Sequence, residues 1–283
     1  MAYDAQQMVK NILDSYKAYP TINGITTKNI LNKELLITVT EKLRGLLFPG
    51  FFYAGKTKPE YLNFIIGEEL EFVHYNLSKQ IRYALLKNKS DSTAAEPLAE
   101  DITQAFIGKI PALREYLDTD VKAAYNGDPA AYSTDEIIFS YPGLYAITIY
   151  RIAHELYKLK VPMIPRIMTE HAHSITGIDI HPGAEIGKFF FIDHGTGIVI
   201  GETTTIGNNV KIYQGVTLGA LSTRKGQQLK GVKRHPTIGN DVTIYSGTTI
   251  LGGETVIGDG AVIGGNTFIV ESVAPGAKIS ELH

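Results

Sequence analysis

The C-terminal part of the sequence repeats with a period of six residues. An aliphatic residue, in most cases followed by glycine, marks each repeat. The positions on the period are Ile200, Ile206, Ile212, Leu218, Ile238 and Ile244, and then, after a slip of one residue, Leu251, Ile257, Ile263 and Ile269. Ile186 carries the same aliphatic-glycine pair before this series begins. A hexapeptide period is typical of a β-helix, in which one aliphatic side chain per hexad points inward and small residues form the turns. We therefore predict a parallel β-helix domain over residues 176–283.

One interruption of the period is long. Leu218 and Ile238 are twenty residues apart, which we interpret as eight residues more than two hexads. The excess predicts a loop at residues 220–235 that leaves the coil. This segment carries five basic residues and no acidic one. Loops of this length in compact folds are usually functional, so we place part of the site here.

The first 175 residues have a different character, since they contain only eight of the 28 glycines. Apolar residues at three- and four-residue spacings predict helices there. The predicted helices cover residues 29–47, 61–86, 98–125, 145–158 and 162–173, with an exposed connection at 87–100. The predicted fold class is therefore α+β, with an N-terminal helical bundle at 1–175 followed by the β-helix domain.

Composition excludes several classes of function. The chain has no cysteine, which excludes disulfides and thiolate catalysis and removes any need for an oxidising compartment. Lys and Arg number 27 against 29 Asp and Glu, so no basic surface for nucleic acid is predicted. No signal peptide is visible, and no apolar run approaches the roughly 20 residues of a membrane span. We expect a cytoplasmic protein that binds neither nucleic acid nor membrane.

Three histidines interrupt the repeat beside charged residues, namely His181, His194 and His235. Asp193 and His194 are adjacent, so in an extended strand their side chains would point to opposite sides. Asp179, about one coil earlier, is therefore the candidate carboxylate that orients His194. A histidine held in this way suits a general base near neutral pH.

Other interpretations of these residues remain open. Three histidines can hold a catalytic zinc ion, although the spacings include no tight local ligand pair and we expect no metal. Asp and His also occur at plain β-helix turns. Arg151 and His154 share a helical face and predict a buried hydrogen-bonded pair. Phenylalanines 189–191 are expected on an outer face, where they would favour packing against a second copy of the chain.

The stretch from Asp128 to Gly276 resembles the serine O-acetyltransferase family. The motifs that carry the resemblance are Gly127-Asp-Pro-Ala, Tyr150-Arg-Ile-Ala-His-Glu-Leu, Ile178-Asp-Ile-His-Pro, Ile192-Asp-His-Gly-Thr-Gly-Ile-Val-Ile-Gly-Glu, Gln214-Gly-Val-Thr-Leu-Gly, Arg234-His-Pro and Ile250-Leu-Gly-Gly. The resemblance implies a left-handed β-helix that transfers acetyl from acetyl-CoA to the hydroxyl of L-serine, in cysteine biosynthesis.

The resemblance also implies roles for individual residues in the chemistry. His194 would be the general base on the serine hydroxyl, with Asp179 as its orienting partner. Acetyl-CoA would lie along backbone near Gly219, Ala220 and Gly247.

Substrate binding would fall to four further residues. Asp128 and Asp193 would hold the ammonium group of L-serine, because carboxylates suit a cation. Arg234, with His235 beside it, would bind the substrate carboxylate through its planar guanidinium.

The family resemblance further implies partners. The chain would form homotrimers with the active site between subunits, and trimers would pair into hexamers through their helical halves. L-cysteine would act as a feedback inhibitor. Family members insert a C-terminal isoleucine into O-acetylserine sulfhydrylase, but this chain ends Ser280-Glu-Leu-His283, which argues against that complex unless the chain is truncated.

Three alternatives keep the same coil and change the activity. The first is an acetyltransferase whose acceptor is homoserine or a sugar. The second is a zinc-dependent hydratase that uses His181, His194 and His235. The third is a β-helix scaffold without catalysis.

Overall fold

The computed structural model describes residues 3–24, 30–52, 58–88, 94–224 and 226–280. Within these ranges the chain forms eight α-helices followed by fourteen short strands. The helices are α1 Ala5–Ala18, α2 Lys33–Leu47, α3 Leu62–Asn88, α4 Ala95–Ile107, α5 Ile110–Gly127, α6 Thr134–Ser140, α7 Pro142–Lys158 and α8 Ile164–Thr176. The predicted fold class, a helical half followed by a parallel β-helix, is confirmed.

Local chemistry sets the ends of several helices. The Asn32 side chain accepts a hydrogen bond from the Leu35 amide and caps α2. Ser133 caps α6 in the same way. Prolines stand in the first turns of α5, α7 and α8, where a missing N–H costs nothing. Gly177 ends α8 in the left-handed conformation, with φ of 70°.

The helix predictions were partly wrong. The predicted helix at 98–125 is two helices, α4 and α5, because the chain turns at Gly108 and Lys109 before Pro111. The predicted connection at 87–100 overlaps the start of α4. Helices α1 and α6 were not predicted, since α1 buries no residue and α6 has only seven residues. Residues 25–29, 89–93 and 281–283 lie outside the described parts, including the C-terminal residues on which the sulfhydrylase expectation rests.

The β-helix has three parallel sheets, which we call the first, second and third face. The first face is β1-β4-β7-β10-β13, the second is β2-β5-β8-β11, and the third is β3-β6-β9-β12-β14. The strands are β1 Asp179–Ile180, β2 Glu185–Ile186, β3 Phe191–Asp193, β4 Val199–Ile200, β5 Thr205–Ile206, β6 Lys211–Tyr213, β7 Thr217–Gly219, β8 Thr237–Ile238, β9 Thr243–Ile244, β10 Thr249–Leu251, β11 Val256–Ile257, β12 Val262–Ile263, β13 Phe268–Ile269 and β14 Lys278–Ile279.

The hexad residues fill the interior of the coil, with one correction. Ile244 is followed by Ile250, which is fully buried, whereas Leu251 is only half-buried. The slip in the period therefore comes after Ile250 and not before it. Each buried isoleucine contributes roughly 1.5–3 kcal/mol relative to an exposed one, so the repeat fixes the register of every strand.

The number of residues inserted between Leu218 and Ile238 is also larger than the eight that the sequence suggested. The two residues lie on successive strands, β7 and β8, of the first and second faces. A single hexad would join these strands, so nearly all of 220–236 lies outside the repeat. This segment contains a short 3₁₀ turn at Gly226–Leu229.

Buried contacts join the helical half to the coil. Arg151 of α7 forms a double ion pair with Asp120 of α5, at 2.6 and 2.8 Å, and donates to the carbonyls of Ile186 and Gly187. The predicted pair of Arg151 with His154 is wrong, because the His154 Nδ1 donates to the Pro182 carbonyl instead. The side chains of Arg151 and His154 thus connect α7 to backbone carbonyls of the coil at and just before the second face.

The outward placement predicted for phenylalanines 189–191 is also wrong in part. Phe190 and Phe191 are buried within the chain, and only Phe189 is exposed. None of the helices in the described ranges is long and apolar enough to cross a membrane.

Candidate active site

His194 stands on an enlarged corner of the coil. Five residues, 194–198, connect β3 to β4, whereas three, 214–216, make the equivalent connection from β6 to β7. His194 itself has φ of 59°, a left-handed conformation that is unfavourable for a residue with a Cβ. Its side chain is 73% exposed. The two extra residues therefore present the imidazole to solvent at the edge between the third and first faces.

The carboxylate beside His194 is its own neighbour in sequence. The His194 Nε2 lies 3.6 Å from the Asp193 Oδ1. The side chains of Asp193 and His194 do not point to opposite sides as predicted, because His194 is left-handed and the prediction assumed an extended backbone. Asp179 accepts a hydrogen bond from Arg166, at 3.1 Å, so within this chain it is occupied by another partner. Its role as the orienting residue stays a prediction.

Asp128 lies next to this corner, at the end of α5. Its carboxylate accepts from the Tyr141 hydroxyl at 2.5 Å and from the Ala130 amide at 2.8 Å. The Tyr141 bond contributes most to lowering the pKa of Asp128, and the Lys211 and His194 charges act in the same direction. Burial and the Asp128 bond raise the pKa of Tyr141, so the phenol stays protonated as a donor. Asp128 is therefore held as a carboxylate near His194.

Lys211 completes this group, which we call the His194 edge and define by Asp128, Asp193, His194 and Lys211. The Lys211 Nζ lies 3.2 Å from the Asp193 Oδ2 and donates to the Gly127 carbonyl at 2.7 Å. Burial pulls the pKa of Lys211 down, but bonds with Tyr213 and Asp193 outweigh it and the pKa is raised. The edge thus carries two carboxylates, one ammonium and an exposed imidazole.

Arg234 lies at a different edge of the coil, between the first and second faces. Its guanidinium forms an ion pair with Glu202 and donates to the carbonyls of Leu229 and Val232. The hydroxyl of Tyr157 donates to the other oxygen of Glu202 at 3.2 Å. A cavity of about 360 Å³ opens beside Arg234 and Glu202, lined by loop residues.

His235 is fixed in the wall of the same edge. Its Nδ1 accepts from the Thr203 amide at 3.0 Å, and the Thr203 hydroxyl accepts from the Arg234 and His235 amides. Burial, with the Arg234 charge adding to it, lowers the pKa of His235 to about 4. The ring packs so closely on Gly201 that a Cβ there would lie 2.1 Å from it. We call this group, Glu202, Thr203, Arg234 and His235, the Arg234 edge.

His181 lies near Glu202 and Arg234, and Asp179 stands at the start of β1 on the first face. The His181 Nδ1 accepts from the Gly183 amide, and burial and the Arg166 charge lower its pKa. Glu170, His173 and Asp179 are the one set of possible metal-binding side chains found within the described ranges. Arg166 pairs with both carboxylates of that set. Within one chain, His194 does not join His181 and His235.

The glycine-rich positions predicted to line acetyl-CoA are also divided between the edges. Gly219 ends β7, and Ala220 begins the segment that leads to Arg234. Gly247 has φ of 70° and lies on the corner between β9 and β10, above the His194 corner in the stack of coils. Within a single chain, the residues predicted to bind the substrate are therefore divided between the two edges. The residues predicted to line acetyl-CoA are divided in the same way.

Comparison with known proteins decides the family. No protein-family model matches the sequence. A serine acetyltransferase encoded on a plasmid of Synechococcus elongatus is 48% identical over 260 residues, which cover 88% of this chain and 81% of that protein. The chain belongs to the serine acetyltransferase family. The serine acetyltransferase of Bacillus licheniformis is 52% identical over 136 residues, 48% of this chain and 60% of that protein.

Solved structures of serine acetyltransferases agree with this assignment. Serine acetyltransferase 1 of Entamoeba histolytica, in complex with L-cysteine, is 36% identical with a TM-score of 0.75 and covers 94% of each chain. The enzyme of Neisseria gonorrhoeae, in complex with serine, is 29% identical with a TM-score of 0.58, covering 88% of this chain and 95% of that one. The resemblance seen in the motifs is thus confirmed, and the chain is an acyltransferase.

Sequence reasoning did not select several residues that shape the two edges. Glu202 and Thr203 directly follow the Ile200-Gly pair. The sequence signal that could have identified them is an acidic and a hydroxyl residue at the turn after this pair. Tyr141 gave no local signal, because it reaches Asp128 only through the packing of α7 against α5. Lys211 gave none because it reaches Asp193 through the pairing of β6 with β3.

Proposed function

We propose that this chain is a serine O-acetyltransferase that transfers acetyl from acetyl-CoA directly to L-serine in cysteine biosynthesis, with His194 as general base. The observation that carries the proposal is the contact of the exposed His194 ring with Asp193, next to Asp128. An ammonium group bound by these carboxylates brings a hydroxyl on the adjacent carbon to the imidazole.

The same geometry favours L-serine over other acceptors. In homoserine an extra methylene separates the hydroxyl from the ammonium group, so the hydroxyl is displaced from His194, whose distance to Asp193 is set. One methylene typically changes the ratio of kcat/KM between two substrates by about 10- to 200-fold. A sugar has neither an ammonium group for Asp128 and Asp193 nor a carboxylate for Arg234. Both acceptors remain the alternatives to be tested.

The chemistry needs no covalent enzyme intermediate. The His194 imidazole removes the hydroxyl proton while the serine oxygen attacks the thioester carbon, which gives a tetrahedral oxyanion. Collapse of this species breaks the C–S bond, and the thiolate takes the proton from the imidazolium. A thiol has a pKa near about 8.5, so the leaving group needs no strong acid. The products are O-acetyl-L-serine and free coenzyme A.

Arg234 and His235 supply the complementary charge for the substrate carboxylate. Because they lie across the first face from His194, we propose that the site forms between two copies of the chain in a homotrimer. The His194 edge of one copy then faces the Arg234 edge of the next. Gly219 and Ala220 from one copy and Gly247 from the other line acetyl-CoA in the same cleft. Pairing of trimers into hexamers through the helical halves extends the proposal.

L-cysteine has the same ammonium and carboxylate groups as L-serine. We propose that it inhibits this enzyme by occupying Asp128, Asp193 and Arg234. A cytoplasmic location is part of the same proposal, since the reaction joins two soluble metabolites.

The test is release of coenzyme A thiol from acetyl-CoA, measured with a thiol-reactive dye. The chain has no cysteine, so the whole signal comes from coenzyme A. We expect release with L-serine and much less with L-homoserine or sugars. Absence of release with every alcohol would sink the transferase proposal. Bound zinc in stoichiometric amount would favour the hydratase alternative.

A further inference from the structure

Lys211 is a charged residue at the His194 edge to which the proposed reaction assigns no role. It lies on β6, directly beside Phe191 of β3. The side chain is only 21% exposed, and its ammonium group sits against the rings of Phe191 and Tyr213, at 4.9 and 4.6 Å from their centres. Two aromatic faces and restricted exposure hold the ammonium group in one place.

The ammonium group joins the two halves of the molecule at the site. It donates to the carbonyl of Gly127, the last residue of α5, where the negative end of the helix dipole favours a cation. It also lies 3.2 Å from the Asp193 Oδ2. Asp128 follows Gly127 directly. The Lys211 side chain therefore sets the positions of the Asp128 and Asp193 carboxylates relative to each other.

The packing under this contact is tight. A Cβ on Gly127 would lie 2.8 Å from the Phe191 ring. The end of α5 therefore rests on the aromatic ring beneath Lys211, and the contact has a defined geometry. With Oδ2 of Asp193 directed at Lys211, the other oxygen, Oδ1, is the one that faces His194.

We propose that Lys211 is a positioning residue that fixes Asp193 and the end of α5 for binding of the substrate ammonium group. This inference rests on the proposed serine acetyltransferase activity. Two carboxylates and one lysine leave a single net negative charge, which matches one ammonium group on L-serine. Without the lysine, Asp193 and Asp128 would repel each other and each could turn away from His194.

The experiment compares Lys211→Met, Lys211→Gln and Lys211→Arg with the wild-type enzyme. Met removes the charge and keeps the aliphatic stem, Gln keeps a donor for the Gly127 carbonyl, and Arg keeps the charge. We expect the KM for L-serine to rise about tenfold in the Met and Gln variants, the effect of losing a charged hydrogen bond. The KM for acetyl-CoA should stay within about twofold, and Arg should recover most of the loss.

Lys188→Met is the matched control. Lys188 also joins the coil to α5, through Glu115 at 2.5 Å and the Tyr116 ring, but these partners are not part of the His194 edge. It should leave both KM values unchanged. A wild-type KM for L-serine in Lys211→Met and Lys211→Gln would overturn the inference, as would an equal rise of both KM values or the same loss in Lys188→Met.

Failure of the inference is distinguishable from failure of the proposed function. A wild-type enzyme that releases thiol with L-serine upholds the function whatever the variants do. Should Lys211→Met melt well below the wild type, Lys211→Gln and Lys211→Arg decide the question on their own. A wild-type enzyme inactive with L-serine would overturn both.

Discussion

The two edges of the first face differ in exposure and in charge. At the His194 edge the imidazole is 73% exposed, and the Asp193 carboxylate beside it is 14% exposed. At the Arg234 edge the His235 ring is 8% exposed, and Arg234 is bound to Glu202 and to loop carbonyls. The first edge offers anions and a base, whereas the second offers a cation on a rigid support. The exposed imidazole and the guanidinium thus stand at opposite edges of the first face, and in the proposed arrangement the two edges are complementary halves of one site.

The difference arises from where the coil accepts extra residues. Strand pairing continues without interruption on both sides of the corner at 194–198 and of the segment at 220–236. Corners can therefore lengthen without changing the register of the hydrophobic interior. A short insertion exposes one histidine, and a long one delivers Arg234 and His235 to the start of β8. The regular hexads support the coil, and the two insertions place His194, Arg234 and His235 at its edges.

The largest expected effect comes from removing the base. We expect His194→Ala to lower kcat by about 100- to 10,000-fold, the usual contribution of general acid–base catalysis. The oligomeric state should not change, because in the proposed arrangement the imidazole faces the cleft that admits the substrate and its contact within the chain is with the adjacent Asp193. Steady-state kinetics and light scattering test both points.

His74→Ala is the control for this variant. His74 pairs with Glu100 in the helical half and should be dispensable for kcat. Activity of His194→Ala at the level of the wild type would remove His194 as the base. The His194 edge would then have no catalytic role in the proposed reaction.

A mixing experiment tests whether the two edges meet between copies. His194→Ala chains keep an intact Arg234 edge, and Arg234→Ala chains keep an intact His194 edge. In trimers with head-to-tail contacts formed from an equal mixture, about a quarter of the interfaces join two intact edges. We therefore expect mixed trimers, refolded or co-expressed, to regain about a quarter of the wild-type activity.

Each variant treated alone in the same way is the control and should stay near background when L-serine is kept well below the raised KM expected of Arg234→Ala. Mixed trimers without any recovery would mean that both edges of one site come from one chain. That outcome would contradict the proposed arrangement while leaving the reaction itself untouched.

Much of the fold could be predicted from the sequence because its interior obeys a simple period. Ile200, Ile206 and Ile212 alternate with glycine and small turn residues, and burial then fixes their direction. The phase at Ile250 was wrong because Leu251-Gly looks like the preceding repeats, and only packing shows which of the two residues points inward. The break between α4 and α5 was missed because the apolar stripe continues across Gly108.

The site could be predicted only where its chemistry lies in short motifs. His194, Asp193 and Arg234 stand beside interruptions of the repeat, so a local pattern found them. The contact of His194 with Asp193 was missed because a strand geometry was assumed where the backbone is left-handed, and the orienting role of Asp179 stays a prediction. Glu202 pairs with Arg234 across the long segment, and no spacing in the sequence indicates a contact over that separation.

A smaller effect is expected from changing the cation at the Arg234 edge. Arg234→Lys keeps the charge and loses the planar group that binds a carboxylate at two points. We expect the KM for L-serine to rise about tenfold, with kcat and the KM for acetyl-CoA nearly unchanged. Steady-state kinetics with each substrate varied in turn measures the effect.

Arg224→Lys is the matched control, since Arg224 is an exposed arginine of the same segment. It should leave all constants unchanged. A similar rise in Arg224→Lys, or an unchanged KM in Arg234→Lys, would remove the substrate carboxylate from the Arg234 edge and leave that edge with a purely structural role.

The smallest effect distinguishes the edges by their response to acid. Burial and the Arg234 charge lower the pKa of His235 to about 4, against about 6.5 in an unfolded chain. Between these values the unfolded chain binds a proton at His235 that the folded chain does not. The free energy of unfolding therefore falls as the pH falls from about 6.5 toward about 4. In His235→Asn the amide oxygen can accept from Thr203 without titrating, so its Tm should fall less over this range.

Thermal melts at a series of pH values measure the difference between the two proteins. His173→Asn is the control, because it makes the same replacement at a histidine that is 41% exposed and lies outside the Arg234 edge. An equal loss of Tm in His235→Asn and the wild type would mean that His235 is protonated in the folded chain at these pH values. The Arg234 edge would then carry a second cation beside Arg234. Its attraction to the carboxylates of the His194 edge would be stronger than with a neutral His235 ring.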